Sequence, residues 1–249
     1  MRRLGQHFLT DPGILGRIAD ALDPQPGETV LEIGPGRGTL TDVLLARGLH
    51  VMAIEKDRAL ARALTRQHLT MLEGDALHVA WPRVAKVVGN IPYYITSPLI
   101  DKALTPPLPE RVVFLVQAEV ADRLAAPPGG KTYGALSVGV QVVARVEKLF
   151  IVAPGAFKPP PKVHSALIRL TPLAQPLVTP DEIAPLRAFV VACFSKRRKQ
   201  LKNAAPGITD AELESLGLDP RVRPERLPPE AFVRLLRHTR RSGVGGRVE

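Results

Sequence analysis

The chain has 249 residues, enough for one large domain or two small ones, and its 45% hydrophobic content can fill a packed core. No apolar run is long enough to span a bilayer and the N-terminus lacks the apolar core of a signal peptide; the single cysteine, Cys193, excludes a disulfide framework and a cysteine-rich metal site. A soluble, cytoplasmic protein is expected, and its formal net charge of +10, from 34 Lys and Arg against 24 Asp and Glu, points to a polyanionic partner, most simply nucleic acid.

In chain order, Asp11-Pro12 resembles a helix start, with Asp as N-cap and Pro at the first helical position; that helix runs to about Leu22, before Pro24. Val30 to Ile33 is a buried strand that enters the turn Gly34-Pro-Gly-Arg-Gly38, and Leu40 to Arg47 is a helix. His50 to Glu55 is a strand, and Asp57 to His68 a helix with Leu60, Ala61 and Leu64 on one face. Met71 to Glu73, Lys86 to Asn90 and Arg111 to Gln117 are further strands, with helices from Ser97-Pro98 to Leu104 and from Glu119 to Leu124. The alternation predicts a parallel sheet covered on both faces. Ser137 to Val152 and Ser165 to Leu170 read as strands flanking Phe157-Lys-Pro-Pro-Pro-Lys-Val-His164. A proline-rich linker spans Pro172 to Pro180, and the remainder reads as helical: Ile183 to Phe194, a basic stretch from Ser195 to Asn203, Asp210 to Leu216 and Pro229 to Arg237.

The glycine turn is the organising feature. Glycines at a strand-to-helix junction admit positive φ and close backbone approach to a ligand, and the following helix points free N–H groups there. The dinucleotide fingerprint is G-x-G-x-x-G with an acid about 20 residues on. Here Glu32 precedes Gly34, Gly36 and Gly38, placing an acid inside the turn. That acid repels a pyrophosphate and suits a cationic cofactor, which we read as S-adenosylmethionine. Glu55, at the tip of the second strand, is placed to accept both ribose hydroxyls, and Asp75, in the turn Gly74-Asp75-Ala76, to accept from the adenine amino group. A ligand-free turn is the competing reading for the glycines alone.

Asn90-Ile-Pro-Tyr93 is the most specific local signal. The exocyclic amine of a base is a poor nucleophile because its lone pair is delocalised. Two acceptors, the Asn90 side-chain oxygen and a backbone carbonyl at Ile91 or Pro92, can pull that nitrogen toward tetrahedral geometry. Pro92 fixes the backbone, and the Tyr93 ring stacks on the base. Such catalysis is positioning and electrostatics. Phe157 could stack on the opposite face of an extruded base, against the competing reading of a core phenylalanine at a strand edge. Lys196, Arg197, Arg198, Lys199 and Lys202 fall within one or two helical turns and read as a phosphate-binding run. The histidines show no metal-ligand spacing, and no metal is expected.

These stretches together resemble the small-subunit rRNA adenine N6,N6-dimethyltransferases. The resemblance is carried by Gly5-Gln-His-Phe-Leu9, Glu32 to Gly38, Glu55-Lys-Asp57, Gly74-Asp-Ala76, Asn90 to Tyr93, Phe157 to Ser165, Phe194 to Lys199 and Gly217 to Leu227. It implies an α/β fold: a Rossmann-like class I S-adenosylmethionine-dependent methyltransferase domain over residues 1–174, with a small C-terminal α-helical, rRNA-binding domain over 175–249. It implies dimethylation of two adjacent adenosines in a hairpin loop near the 3′ end of small-subunit rRNA during assembly, with the small-subunit precursor as partner and a monomeric enzyme. By match, cofactor contacts fall on His7, Leu9, Gly34, Glu55, Asp75 and Asn90; Glu32, Gly36 and Ala76 adjoin them. The alternatives are a large-subunit rRNA methyltransferase of the macrolide-resistance type and a non-catalytic assembly factor that keeps the fold.

Overall fold

A computed structural model describes residues 7–196, 199–205 and 208–241. The described chain opens with β1 (Phe8–Leu9) and α1 (Pro12–Ala21). The Asp11 carboxylate starts α1 by accepting the Ile14 N–H at 2.9 Å, as the sequence predicts. There follow β2 (Thr29–Ile33), α2 (Thr39–Ala46), β3 (His50–Glu55), α3 (Arg58–Ala63), β4 (Leu69–Glu73), β5 (Lys86–Asn90), α4 (Thr96–Ala103), β6 (Arg111–Gln117) and α5 (Ala118–Leu124). The last elements are α6 (Ala135–Gln141), β7 (Ala144–Val152), β8 (Phe157–Lys158), β9 (Ser165–Pro172), α7 (Pro180–Ser195), α8 (Asp210–Ser215) and α9 (Pro229–Arg241).

Seven strands form one sheet in the order β4-β3-β2-β5-β6-β9-β7, and β1 pairs with β8 in a separate two-stranded ribbon. The five strands from β4 to β6 are mutually parallel, as expected. β9 departs from that expectation: it pairs antiparallel to β6, with Val116 opposite Ala166 and Gln117 opposite Ser165. The parallel strands carry continuous apolar runs because both sheet faces are covered; Val112 to Val116 of β6 are all buried.

Two sequence expectations are corrected here. Ser137 to Val152 is not one strand, since its first part is helix α6. The helix predicted over Asp57 to His68 stops early, because Leu64 turns to extended backbone at ψ 95°.

The chain divides into two compact units. One runs to Ala121 and takes in Val146–Pro172; the other joins Asp122–Arg145 to the chain from Leu173 onward. The structure therefore crosses between units more than once, where the sequence suggests one boundary after residue 174. Within the second unit, Tyr133, Phe194 and Phe232 pack as neighbouring rings, and the Tyr133 hydroxyl donates to the Leu227 carbonyl at 2.9 Å. Arg237 grips both carboxylate oxygens of Glu182 at 2.7 Å, joining α7 to α9. That bond, foremost, holds the Glu182 carboxyl down at about 2.

Candidate active site

Strand order reverses between β2 and β5, and the carboxyl ends of these strands open a cavity of 660 Å³. Ligands of open α/β sheets bind at such reversals, and this volume is ordinary for a small-molecule site. The cavity is lined by His7, Leu9, Glu32, Gly34, Gly36, Glu55, Asp75, Ala76, Asn90, Pro92 and Tyr93, all chosen from the sequence.

The turn after β2 takes left-handed backbone at Gly34 (φ 68°) and Gly36 (φ 58°). At Gly34 nothing lies within 4 Å of where a Cβ would stand, whereas at Gly36 a Cβ would meet the Phe8 ring at 3.0 Å. The Glu55 carboxylate fastens the turn. One oxygen accepts the Gly36 N–H at 3.0 Å and the other the Asp57 N–H at 2.8 Å. A carboxylate has about four acceptor positions, so Glu55 keeps capacity to receive hydroxyl donors.

Glu32 is 1% exposed. Burial pushes its carboxyl up to about 7, against the opposing hydrogen bond from the Thr41 hydroxyl at 2.6 Å. Asp75 bonds the Lys56 ammonium at 2.7 Å and accepts the Leu77 N–H at 2.9 Å. Lys56, foremost, holds the Asp75 carboxyl below its usual range. Three acidic side chains, Glu32, Glu55 and Asp75, line one cavity beside the glycine turn; that lining suits a cationic ligand and opposes a polyphosphate, which is the fit the proposed cofactor requires.

At the end of β5 the Asn90 side-chain amide donates to the His7 carbonyl at 2.9 Å. That fixes which way the amide faces and leaves its oxygen as the acceptor. Pro92 is followed by a single 3₁₀ turn over Tyr93–Ile95, closed by Ile95 N–H to the Pro92 carbonyl at 3.1 Å. The Tyr93 hydroxyl and Ser165 Oγ are 2.7 Å apart, and Ser165 is buried at the start of β9. His7 Nδ1 donates to the Pro159 carbonyl at 2.8 Å.

Phe157 is corrected. It is 2% exposed and packs in the core with Leu9, Leu15, Val152 and Leu167. Its partner in the β1–β8 ribbon is Leu9, and the pair is set into the core. The ring does not line the cavity; full removal of a phenyl side chain from water, worth about 1.5–3 kcal/mol, holds it in the core instead. Further residues, not singled out from the sequence, also line the cavity: Phe8, Thr39, Lys56 and Tyr94. Thr39 Oγ1 donates to the Leu9 carbonyl at 3.0 Å, and Tyr94 is 65% exposed. The doubled tyrosine at 93 and 94 was the available signal for the last.

The basic run does not extend the helix. α7 ends at Ser195, and Lys196 leaves helical backbone at ψ 57°. Lys196 and Lys199 are exposed, while Lys202 pairs with Asp210 at 2.8 Å. Arg197 and Arg198 lie outside the described residues. Among the described residues, no group of three or more His, Cys, Asp or Glu side chains is arranged to hold a metal ion. No described helix is long and apolar enough to cross a membrane.

Comparison with known proteins agrees with this geometry. The chain matches the ribosomal RNA adenine dimethylase family over residues 1–239. It is 44% identical over 248 residues to the ribosomal RNA small subunit methyltransferase A of Pseudomonas putida, covering 94% of this chain and 92% of that one. Among solved structures it is similar to a dimethyladenosine transferase from Plasmodium falciparum, with TM-score 0.82 and 29% identity over 95% of this chain and 98% of that one. It is also similar to the 23S rRNA methyltransferase ErmE, with TM-score 0.72 and 29% identity over 92% and 98%. The architecture is that of a Rossmann-like class I methyltransferase.

Proposed function

This chain belongs to the ribosomal RNA adenine dimethylase family and is an rRNA adenine dimethyltransferase, and from that premise we infer that its cavity takes S-adenosylmethionine and the target adenine together. The substrate is small-subunit rRNA, as the names of its relatives indicate. We read the acceptors as two adjacent adenosines in the hairpin loop near the 3′ end of that RNA, presented on the small-subunit precursor to a monomer in the cytoplasm, with no metal taking part.

The observation that carries the reading is the fixed amide of Asn90 beside a carboxylate-ringed glycine turn. Glu55 takes the ribose hydroxyls while it braces the turn through Gly36. Asp75 takes the adenine amino group of the cofactor, and Glu32 supplies buried acidity against cationic charge. When bound, S-adenosylmethionine supplies an activated methyl group. The Asn90 oxygen accepts one hydrogen of the target amine, and a backbone carbonyl of Ile91 or Pro92 accepts the other. Their convergence would localise the nitrogen lone pair, an electrostatic contribution that needs little reorganisation when the acceptors are held in advance. Tyr93 gives the base a face on which to stack.

The test is transfer of labelled methyl groups to immature small subunits and to large subunits, with the RNA digested to nucleosides. N6,N6-dimethyladenosine from the small subunit is expected. Label confined to the large subunit would assign the chain to the macrolide-resistance class, and absence of label from both would make it a non-catalytic assembly factor.

A further inference from the structure

We propose that Lys102 and Trp81 are positioning residues for the cofactor: together they lock the turn that carries Asp75, so that its carboxylate meets the amino edge of adenine and selects adenine over other purines. The proposal rests on the S-adenosylmethionine reading above. Asp75 and Ala76 line the cavity; Lys102 and Trp81 stand behind them and do not.

The chain from Gly74 to Trp81 leaves β4 without helix or strand. Its own backbone bonds converge on one acceptor, the Asp75 carbonyl, which takes the His78 and Val79 N–H groups at 2.8 and 2.9 Å. The carbonyls of Ala76, Leu77 and Val79 are paired by side chains instead, as backbone groups drawn away from water require. Trp81 Nε1 donates to the Ala76 carbonyl at 2.8 Å. The Lys102 ammonium donates to the Leu77 carbonyl at 3.0 Å and to the Val79 carbonyl at 2.6 Å. It also stands 5.6 Å from the centre of the Trp81 ring, within cation–π range. Two side chains thus hold three carbonyls and hold one another.

The link to Asp75 runs through Leu77. Its N–H bonds the Asp75 carboxylate at 2.9 Å while its carbonyl is held by Lys102, so a shift of Leu77 moves the carboxylate with it. Lys102 lies in the last turn of α4, the helix that follows Asn90-Ile-Pro92 and the Tyr93–Ile95 turn. A lysine there can bond the last carbonyls of its own helix; this one reaches the loop after β4. Partial burial pulls its ammonium below the usual range, against the Asp75 charge. Adenine offers a donating amino group to Asp75. Hypoxanthine carries a carbonyl oxygen in that place and sets acceptor against acceptor, and a site built around a hydrogen bond rejects an analogue that cannot make it.

The test compares S-adenosylhomocysteine with S-inosylhomocysteine, in which a carbonyl oxygen replaces the amino group, by calorimetry on the full chain. The parent should prefer the adenosyl compound by roughly tenfold to a hundredfold. Lys102→Met keeps the stem and loses the donors; its preference should fall by about tenfold, and that of Trp81→Phe, which loses one N–H, by about threefold. In an Asp75→Ala background Lys102→Met should alter the preference no further. Folded variants that melt lower yet keep the parent preference make both residues merely structural and overturn the proposal; so does an equal fall in the Asp75→Ala background. If Lys102→Met does not fold, Trp81→Phe decides by the same measure. A parent that binds the two compounds equally removes Asp75 from the adenine contact and the proposal with it, whereas a parent that binds neither overturns the cofactor reading itself.

Discussion

The side-chain amide of Asn90 donates to the backbone carbonyl of His7, 2.9 Å away across 83 residues of sequence. The N-terminal segment thus decides how the amide proposed for catalysis is turned. Asn90→Ala removes an acceptor that matters most as the amine approaches the transition state, so the single-turnover rate should fall about 10²–10³-fold. Asn90→Asp sets a carboxylate against the His7 carbonyl and should be no more active. Affinity for immature small subunits should stay nearly constant in both, and a loss of binding that matches the loss of rate would place Asn90 in general RNA binding.

Glu55 is a brace and a proposed ligand at once, and the two roles respond differently to substitution. Glu55→Gln keeps one acceptor oxygen for the Gly36 or Asp57 N–H; Glu55→Ala keeps neither. Each charge-assisted hydrogen bond is worth about 1.5–3 kcal/mol. S-adenosylmethionine binding should weaken by roughly tenfold or more in Gln and further in Ala, with the melting temperature lowered in Gln and lowered further in Ala. Calorimetry returning parent affinity in a folded Ala variant would remove Glu55 from the cofactor site.

Glu32 predicts a pH dependence with a definite sign. Its folded-state carboxyl sits at about 7, against 4.5 for the ordinary group, mainly through burial. The native state therefore holds the proton more tightly than the unfolded chain. The stabilisation is full below about 4.5 and is lost as pH rises through about 7. Glu32→Gln mimics the protonated form, so its melting temperature should vary less between these limits and exceed the parent's at pH above about 8. A cationic ligand nearby favours the ionised carboxylate. Binding of S-adenosylmethionine near neutral pH should then release protons in the parent and not in Glu32→Gln, read by calorimetry in buffers of different ionisation enthalpy. Equal proton release would exclude Glu32 as the linked group.

The strands and their polar tips were legible because buried parallel strands need β-branched runs and a ligand at their carboxyl ends needs polar tips. Val30 to Ile33 with Glu32, and Lys86 to Asn90, are read alike in sequence and structure. What failed was set at long range. Val138, Val140 and Val142 alternate as in a strand, but Ala135–Gln141 is a helix stabilised from outside it: the Gln141 amide bonds the Leu124 and Ala126 carbonyls. Phe157 was placed in the site because nothing local reveals its pairing with Leu9. The grouping of Asp122–Arg145 with the later helices has no local signature either.

The last prediction separates charges that grip RNA from charges already balanced. Phosphate contacts orient a protein on its RNA and make binding salt-dependent. Lys196 and Lys199 are exposed after α7, whereas Lys202 faces Asp210 at 2.8 Å. An exposed pair of that kind contributes about 0–1 kcal/mol to stability. Lys196→Glu with Lys199→Glu should weaken binding to immature small subunits and lower the log–log salt slope by roughly 0.7–0.9 for each phosphate no longer neutralised. Lys202→Ala should leave that slope nearly unchanged and lower the melting temperature slightly. Cofactor affinity should be untouched in both, because none of these residues lines the cavity. If instead the slope falls only in Lys202→Ala, its pairing with Asp210 gives way on the RNA and Lys202 is the gripping residue. If it falls in neither, the phosphate-binding groups lie elsewhere, with the exposed Lys158 beside the cavity-bracing segment the next position to reverse.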